Sequence, residues 1–173
     1  MAATANPHGR VDDDGTVMVL DGDSWRPVGS YPDGTHEEAL AYFVRKFGEL
    51  ESKVILAEQR LAAKAPAKDL AAHVEKLHAE LVEPSAVGDL AALRARTQEV
   101  ADKLPSLVEA QQKESDAALE EALATREKIV VAMEALAAED PSKIRWKSTG
   151  ASMSELFDQW QNHQQTGPRI PKK

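Results

Sequence analysis

The residues that could do chemistry are few and scattered. The five histidines are His8, His36, His73, His78 and His163. His73 and His78 are five residues apart, about 140° around a helix, so they cannot hold one metal ion from one face. No HExxH, Gly-rich phosphate loop or GxSxG occurs in the sequence. There is no cysteine, so there is no disulfide framework and no thiolate metal site. Asp12-Asp13-Asp14-Gly15 lacks the alternating oxygen ligands and distal glutamate of a calcium loop, and reads as a solvated turn. The pairs Glu37/Glu38 and Glu120/Glu121 lie among basic neighbours on expected helices, where solvated faces are the ordinary outcome. No catalytic residue, metal or cofactor is expected.

Two groups of residues could instead serve binding. Glu83 and Asp89 flank Pro84-Ser85-Ala86-Val87-Gly88. Asp89 could simply cap the helix that follows. Alternatively, the two acids form the tip of a long hairpin, similar in architecture to factors that probe the secondary channel of RNA polymerase. The second group is Lys143, Arg145, Trp146, Lys147, Trp160, Arg169, Lys172 and Lys173. Basic residues interleaved with tryptophan can bind RNA through phosphate contacts and stacking. The competing role for such a tryptophan is to anchor a loop. From Pro141 onward six Lys or Arg stand against two acids, a local +4. The whole chain carries −8, so the first 140 residues carry −12. That balance disfavours DNA wrapping by the body and permits polyanion contact at the end.

The elements that must position these residues are helical. Apolar residues make up 42% of the 173, aromatic ones only 5%, with many Ala, Leu, Glu and Lys. This favours long helices over a thick core. Leu40, Phe43, Phe47, Leu50, Val54, Ala57 and Leu61 alternate in spacings of three and four, the seam of a coiled coil. Lys46, Lys53 and Arg60 line one flank, and Glu51 and Glu58 the other. Thr35 with Glu38 predicts a capping box at the start of a helix running from about His36 to Lys64. The pattern resumes after Pro66 with Leu70, Val74, Leu77 and Leu81, stops at Pro84, and returns with Leu90, Leu93, Thr97, Val100 and Leu104. Beyond Pro105 the helix is expected to continue to about Glu139, before Asp140-Pro141.

Pro66 and Pro105 lie at nearly equal distances from Pro84–Gly88. The expected fold is therefore mainly α, a long antiparallel coiled-coil hairpin over 35–140. Its tip is at 84–88 and its two arms are kinked at Pro66 and Pro105. A compact four-helix bundle folded back at both prolines is the alternative. Residues 1–15 are expected to be a flexible tail and 16–34 a small β-hairpin, with a turn at Asp21-Gly22 and an edge strand holding Pro27. Val17, Val19 or Trp25 would anchor it. The basic segment 141–173 is expected to carry a helix over 152–165, boxed by Ser152 and Glu155, stopped by Gly167-Pro168 and packed at the base of the hairpin. It would cover the wide apolar face of Leu119, Ala122, Leu123, Ile129, Val130, Met133, Leu136 and Ala137. No apolar run approaches the ~20 residues that span a bilayer, so a cytoplasmic protein is expected.

A series of short motifs then stands in order: Arg126-Glu127, Glu134-Ala135-Leu136-Ala137, Asp140-Pro141, Trp146-Lys147, Leu156-Phe157-Asp158-Gln159-Trp160 and Gly167-Pro168-Arg169. Together with Val11-Asp12-Asp13-Asp14-Gly15-Thr16-Val17, Val28-Gly29-Ser30 and Glu38-Ala39-Leu40, it resembles the bacterial family called domain of unknown function 349, in its actinobacterial form. The resemblance implies a helical cytoplasmic protein and brings no activity with it. It also implies a further Leu-Trp helix repeat beyond the Gly-Pro turn. A chain stopping at Lys173 is then expected to be truncated, with the surface that meets that repeat exposed. The expected function is a non-enzymatic factor that docks on a large assembly, RNA polymerase or the ribosome. RNA binding by the basic end and structural self-association are the alternatives.

Overall fold

The computed structural model describes residues 6–31, 34–140, 142 and 144–169. The chain forms two compact units, Met1–Glu109 and Ala110–Lys173. Among the described residues there are three strands and four helices.

The first unit opens with β1 (Gly9–Val11), β2 (Thr16–Asp21) and β3 (Ser24–Ser30), an antiparallel sheet in the order β1-β2-β3. The β2–β3 hairpin falls where expected. Asp21 pairs with Ser24 across the turn, and Gly22 supplies the φ of +66° that the tight turn demands. Pro27 lies on an edge strand, where its missing N–H breaks no inner ladder. The third strand corrects the expectation of a flexible tail over 1–15. Gly9 pairs with Val19 and Val11 with Val17, because the aspartate turn folds Val11 back onto β2. In that turn Asp14 accepts the Thr16 N–H at 2.9 Å, which holds its carboxyl below the usual range. Residues 1–5 and the Pro32-Asp33 turn lie outside the described residues.

One face of the sheet packs on α1 (His36–Ala62). Val17, Val19 and Val28 meet Ala39, Phe43, Val87 and Leu90 in one core cluster. Val17 and Val19 are thus the anchors, while Trp25 stays partly exposed with the Arg10 guanidinium over its ring. The capping box forms as the sequence indicates: Glu38 N–H donates to Thr35 Oγ1 and Thr35 N–H to Glu38 Oε2.

The kinked-arm expectation fails at Pro66. Helix α1 stops at Ala62, and Lys64 takes a left-handed φ of 52°. Ala65 N–H reaches Arg60 O at 2.9 Å and Lys64 N–H reaches Leu61 O at 3.0 Å. These are the two bonds of a Schellman motif, which ends a helix and turns the chain. Pro66 then starts α2 (Ala67–Glu80), which runs back along α1. Lys53 Nζ lies 2.6 Å from Glu80, and His73 Nε2 lies 3.3 Å from Lys53 O. The chain therefore reverses at Ala63–Pro66, and the turn at 84–88 is a second reversal that returns it alongside α1.

Segment 84–88 is not a projecting tip. Pro84, Ala86, Val87 and Gly88 are buried. Val87 N–H donates to Phe43 O at 3.0 Å, and Arg26 donates to Pro84 O at 2.9 Å. Gly88 lies so close to the Phe47 ring that a side chain there would collide with it.

From this loop α3 (Leu90–Ala137) sets out alongside α1 and α2. Leu93, Val100 and Leu107, spaced by seven, enter the same cluster as Val54, Ala57, Leu70, Val74, Leu77 and Leu81. The flank charges of α1 sort by neighbour. Lys53 meets α2, while Glu51 and Glu58 both meet Arg96 of α3. The first unit is thus an up-down-up arrangement of three helices under a three-stranded sheet. Helix α3 passes through Pro105 as one continuous element, so the alternative of a chain folded back at both prolines holds only at Pro66.

In the second unit, the C-terminal part of α3 lies antiparallel to α4 (Trp146–Thr166). Arg126 Nε lies 3.3 Å from His163 Nδ1, and Thr149 Oγ1 3.4 Å from Glu139. Ala122 and Ile129 are buried, so α4 covers part of the wide apolar face as expected. Helix α4 begins at Trp146 rather than at Ser152. The seam Thr149, Met153, Leu156, Trp160, His163 continues back through Gly150, whose cost in a helix is only about 1 kcal/mol. Gly167 ends it, donating to His163 O at 3.1 Å, and Pro168 follows.

Candidate interaction surfaces

The acidic pair of the loop separates into two ordinary roles. Asp89 Oδ1 accepts the Ala92 N–H at 2.9 Å, the N-cap of α3. Glu83 is exposed on the short stretch between α2 and the buried loop. The two do not converge on a common ligand position at the end of a rod.

The basic C-terminal group is also divided. Arg145, Trp146 and Lys147 are exposed together at the start of α4, and Trp146 is 75% exposed. Arg169 follows the far end of the same helix, roughly 30 Å away at 1.5 Å per residue. Trp160 belongs to neither end. It lies in the seam facing α3, with the Arg126 guanidinium 6.0 Å above its ring, so its indole is a packing group. Lys143, Lys172 and Lys173 lie outside the described residues. What remains is a compact Arg-Trp-Lys edge beside the α3–α4 turn. A shallow groove of about 350 Å³ adjoins it, lined by Glu139, Asp140, Arg145, Ser148 and Thr149. Asp140 accepts from the backbone and hydroxyl of Ser142 in that turn, which lowers its carboxyl pKa.

One constellation escaped the sequence. Arg94 of α3 donates to both carboxylate oxygens of Asp21, to Leu81 O at 2.8 Å and to Val82 O at 2.9 Å. Arg26 approaches the same carboxylate at 3.6 Å. The Arg94 hydrogen bonds hold the Asp21 carboxyl below its ordinary value and raise the Arg94 pKa. Arg94 thereby ties the sheet turn, the C-terminal carbonyls of α2 and the start of α3 together. The partners are 73 residues apart, and no local spacing announces the pair. A second cross-helix pair, Arg96 with Glu58 at 2.8 Å, lowers the Glu58 pKa and raises that of Arg96.

Among the described residues no group of three or more His, Cys, Asp and Glu side chains is placed to hold a metal. Among them, too, no helix is long and apolar enough to cross a membrane.

The motifs Trp146-Lys147, Leu156 to Trp160 and Gly167-Pro168-Arg169 lie along α4 and just past its end, facing the α3 segment that carries Arg126-Glu127 and Glu134 to Ala137. No curated protein and no solved structure matches the chain. The profile of the family described as Domain of Unknown Function (DUF349) matches residues 92–169, which span nearly all of α3, the turn and α4; over that stretch the chain is a member of this family.

Proposed function

We propose that the protein is a non-enzymatic helical interaction factor that docks on a large cytoplasmic assembly, RNA polymerase or the ribosome. The observation that carries this reading is the start of α4. Trp146 is 75% exposed between two exposed cations, on a helix that buries no side chain fully. An exposed tryptophan flanked by arginine is the kind of anchor that binding surfaces use. The carboxyl groups whose pKa is shifted among the described residues are shifted downward, by caps and ion pairs. None of these is prepared to donate a proton near neutral pH. With the reversal at Ala63–Pro66, the docking surface belongs to the α3–α4 pair rather than to a projecting acidic tip. We also read Pro105 as a bend in α3. Its ring lacks the N–H that would bond Ala101 O and crowds that carbonyl.

The same edge supports a second reading, direct RNA contact by Arg145, Trp146 and Lys147 through phosphate pairing and stacking. One experiment separates the two. Tagged protein is recovered from bacterial lysate with and without ribonuclease, and bound proteins are identified by mass spectrometry. RNA polymerase subunits or ribosomal proteins enriched in both samples, and reduced several-fold by Trp146→Ala, support docking. Enrichment lost with ribonuclease supports RNA contact. Absence of both assemblies above an untagged control defeats the reading.

A further inference from the structure

The antiparallel pair of α3 and α4 leaves one side open. The α3 seam that faces α4 consists of Leu119, Ala122, Arg126, Ile129, Met133 and Leu136, each buried or half-buried. The seam leans to one flank, where Thr125 and Ala132 are also half-buried. On the opposite flank Leu123 and Val130 remain 46% and 37% exposed. On α4 the residue next to the seam, Phe157, is 53% exposed. In an antiparallel pair, residues that directly follow the second core position of each heptad lie on one common side. Leu123, Val130 and Phe157 all hold that position. The contacts Arg126–His163 and Thr149–Glu139 set the register, which brings Phe157 level with Val131 and Ala132, within half a turn of Val130. The three side chains therefore floor a single groove.

The rims of this groove differ in charge. On the α3 rim stand Glu120, Glu127 and Glu134, at intervals of seven, all exposed and none in an ion pair with another described residue. On the α4 rim stand Ser154 and Gln161, which carry no charge. From Glu120 to Glu134 the rim is about 21 Å long, close to four helical turns. Scattered acids would mark an ordinary solvated face. Three acids in line along one edge of an apolar floor select the charge of what lies in it.

We propose that this groove is a docking site for a basic amphipathic helix of a partner protein. Its apolar stripe would cover Leu123, Val130 and Phe157, and its Lys or Arg at heptad spacing would face Glu120, Glu127 and Glu134. The proposal deepens the docking reading and rests on it, but it concerns a different side of the helix pair from the Trp146 edge.

The test uses the full chain and two fluorescent peptides of 21 residues, both with Leu at the core positions of each heptad. One peptide has Lys at all flanking positions and the other has Glu. Binding is followed by anisotropy, and sedimentation reports the oligomeric state of the chain alone. The Lys peptide is expected to bind the native chain, and the Glu peptide to bind at least tenfold more weakly. The variant Glu120→Lys/Glu127→Lys/Glu134→Lys reverses that order, and Phe157→Ser weakens both complexes at least fivefold. If Phe157→Ser loses its helical circular dichroism, the charge reversal alone decides. The Lys peptide binding native and charge-reversed chains equally, or binding neither, overturns the proposal. A native dimer that Val130→Asp dissociates also overturns it, by assigning the groove to a second copy. Failure here with the assemblies still recovered from lysate removes only the groove. Failure of the lysate experiment as well removes the docking reading.

Discussion

Arg94 does at one residue what the helix seams do over many turns. Its guanidinium satisfies two carbonyls at the end of α2 and grips Asp21, whose side chain is only 17% exposed. Replacing Arg94 with Ala leaves that carboxylate half-desolvated and two carbonyls without their donor. Hydrogen bonds to charged groups contribute about 1.5–3 kcal/mol each when broken on one side. Arg94→Ala is therefore expected to lower stability by about 2–3 kcal/mol in urea unfolding at neutral pH. Acid should reproduce part of that loss. The carboxyl pKa of Asp21 lies below its ordinary value of 3.8 in the folded chain. The folded state then binds fewer protons than the unfolded one in this range, so stability rises with pH. The contribution is complete above about pH 5 and fades as pH falls through the depressed folded pKa. Asp21→Asn has no such proton to gain. Its stability should fall less than that of the native chain between pH 5 and 3, and parallel curves would show that the pair contributes nothing.

At the level of elements, the turn at Ala63–Pro66 decides the architecture, and a lysine makes it. A left-handed φ at Lys64 costs an L residue roughly 1 kcal/mol, which glycine does not pay. Lys64→Gly is expected to raise stability by about 0.5 kcal/mol, after the extra freedom glycine gains in the unfolded chain is set against the relief. A gain in urea midpoint with unchanged slope would register it; a loss would mean that the side chain contributes more than the strain. The same residue explains why this reversal was legible only as the alternative, a chain folded back at the prolines. A helix that turns back is usually announced by Gly or Asn at that position, and here only Pro66 marks the place. The seams, the Thr35–Glu38 box, the Asp21-Gly22 hairpin and the Gly167-Pro168 stop could be read because each is local and periodic. The partners of those seams could not. Leu70 and Leu93 fit a two-helix or a three-helix core equally well until the turns are known. The candidate surface was legible in part, since Trp146, Lys147 and the wide face around Ile129 stand out in sequence. Its division into a half-buried Trp160 in the seam and an exposed Trp146 depends on where α4 begins, and Gly150 obscured that.

Over the whole molecule the two units are built to different depths. Among the described residues, the first holds many large or branched side chains with almost no exposure, including Leu70, Leu77, Leu90, Leu93, Val54 and Val87. In the second, Ala122 and Ile129 are buried, and α4 buries no side chain fully. Burying a Leu or Val side chain contributes about 1.5–3 kcal/mol, so the apolar terms that oppose opening are concentrated before Glu109. Local opening follows the least-buried elements. Amide hydrogen exchange should therefore find α1, α2 and the first half of α3 protected together by the largest free energy. Amides of α4 should exchange at least tenfold faster than those of α2, although α4 is the longer helix, with 21 residues against 14. Helix length alone predicts the opposite order, because longer helices hold more interior hydrogen bonds. Equal protection in α2 and α4 would show that the second unit draws stability from burial beyond its own helix pair. The basic peptide that fits the acidic groove offers the complementary measurement: bound there, it should slow exchange in α4 and in α3 beyond Ala110, and leave α2 unchanged.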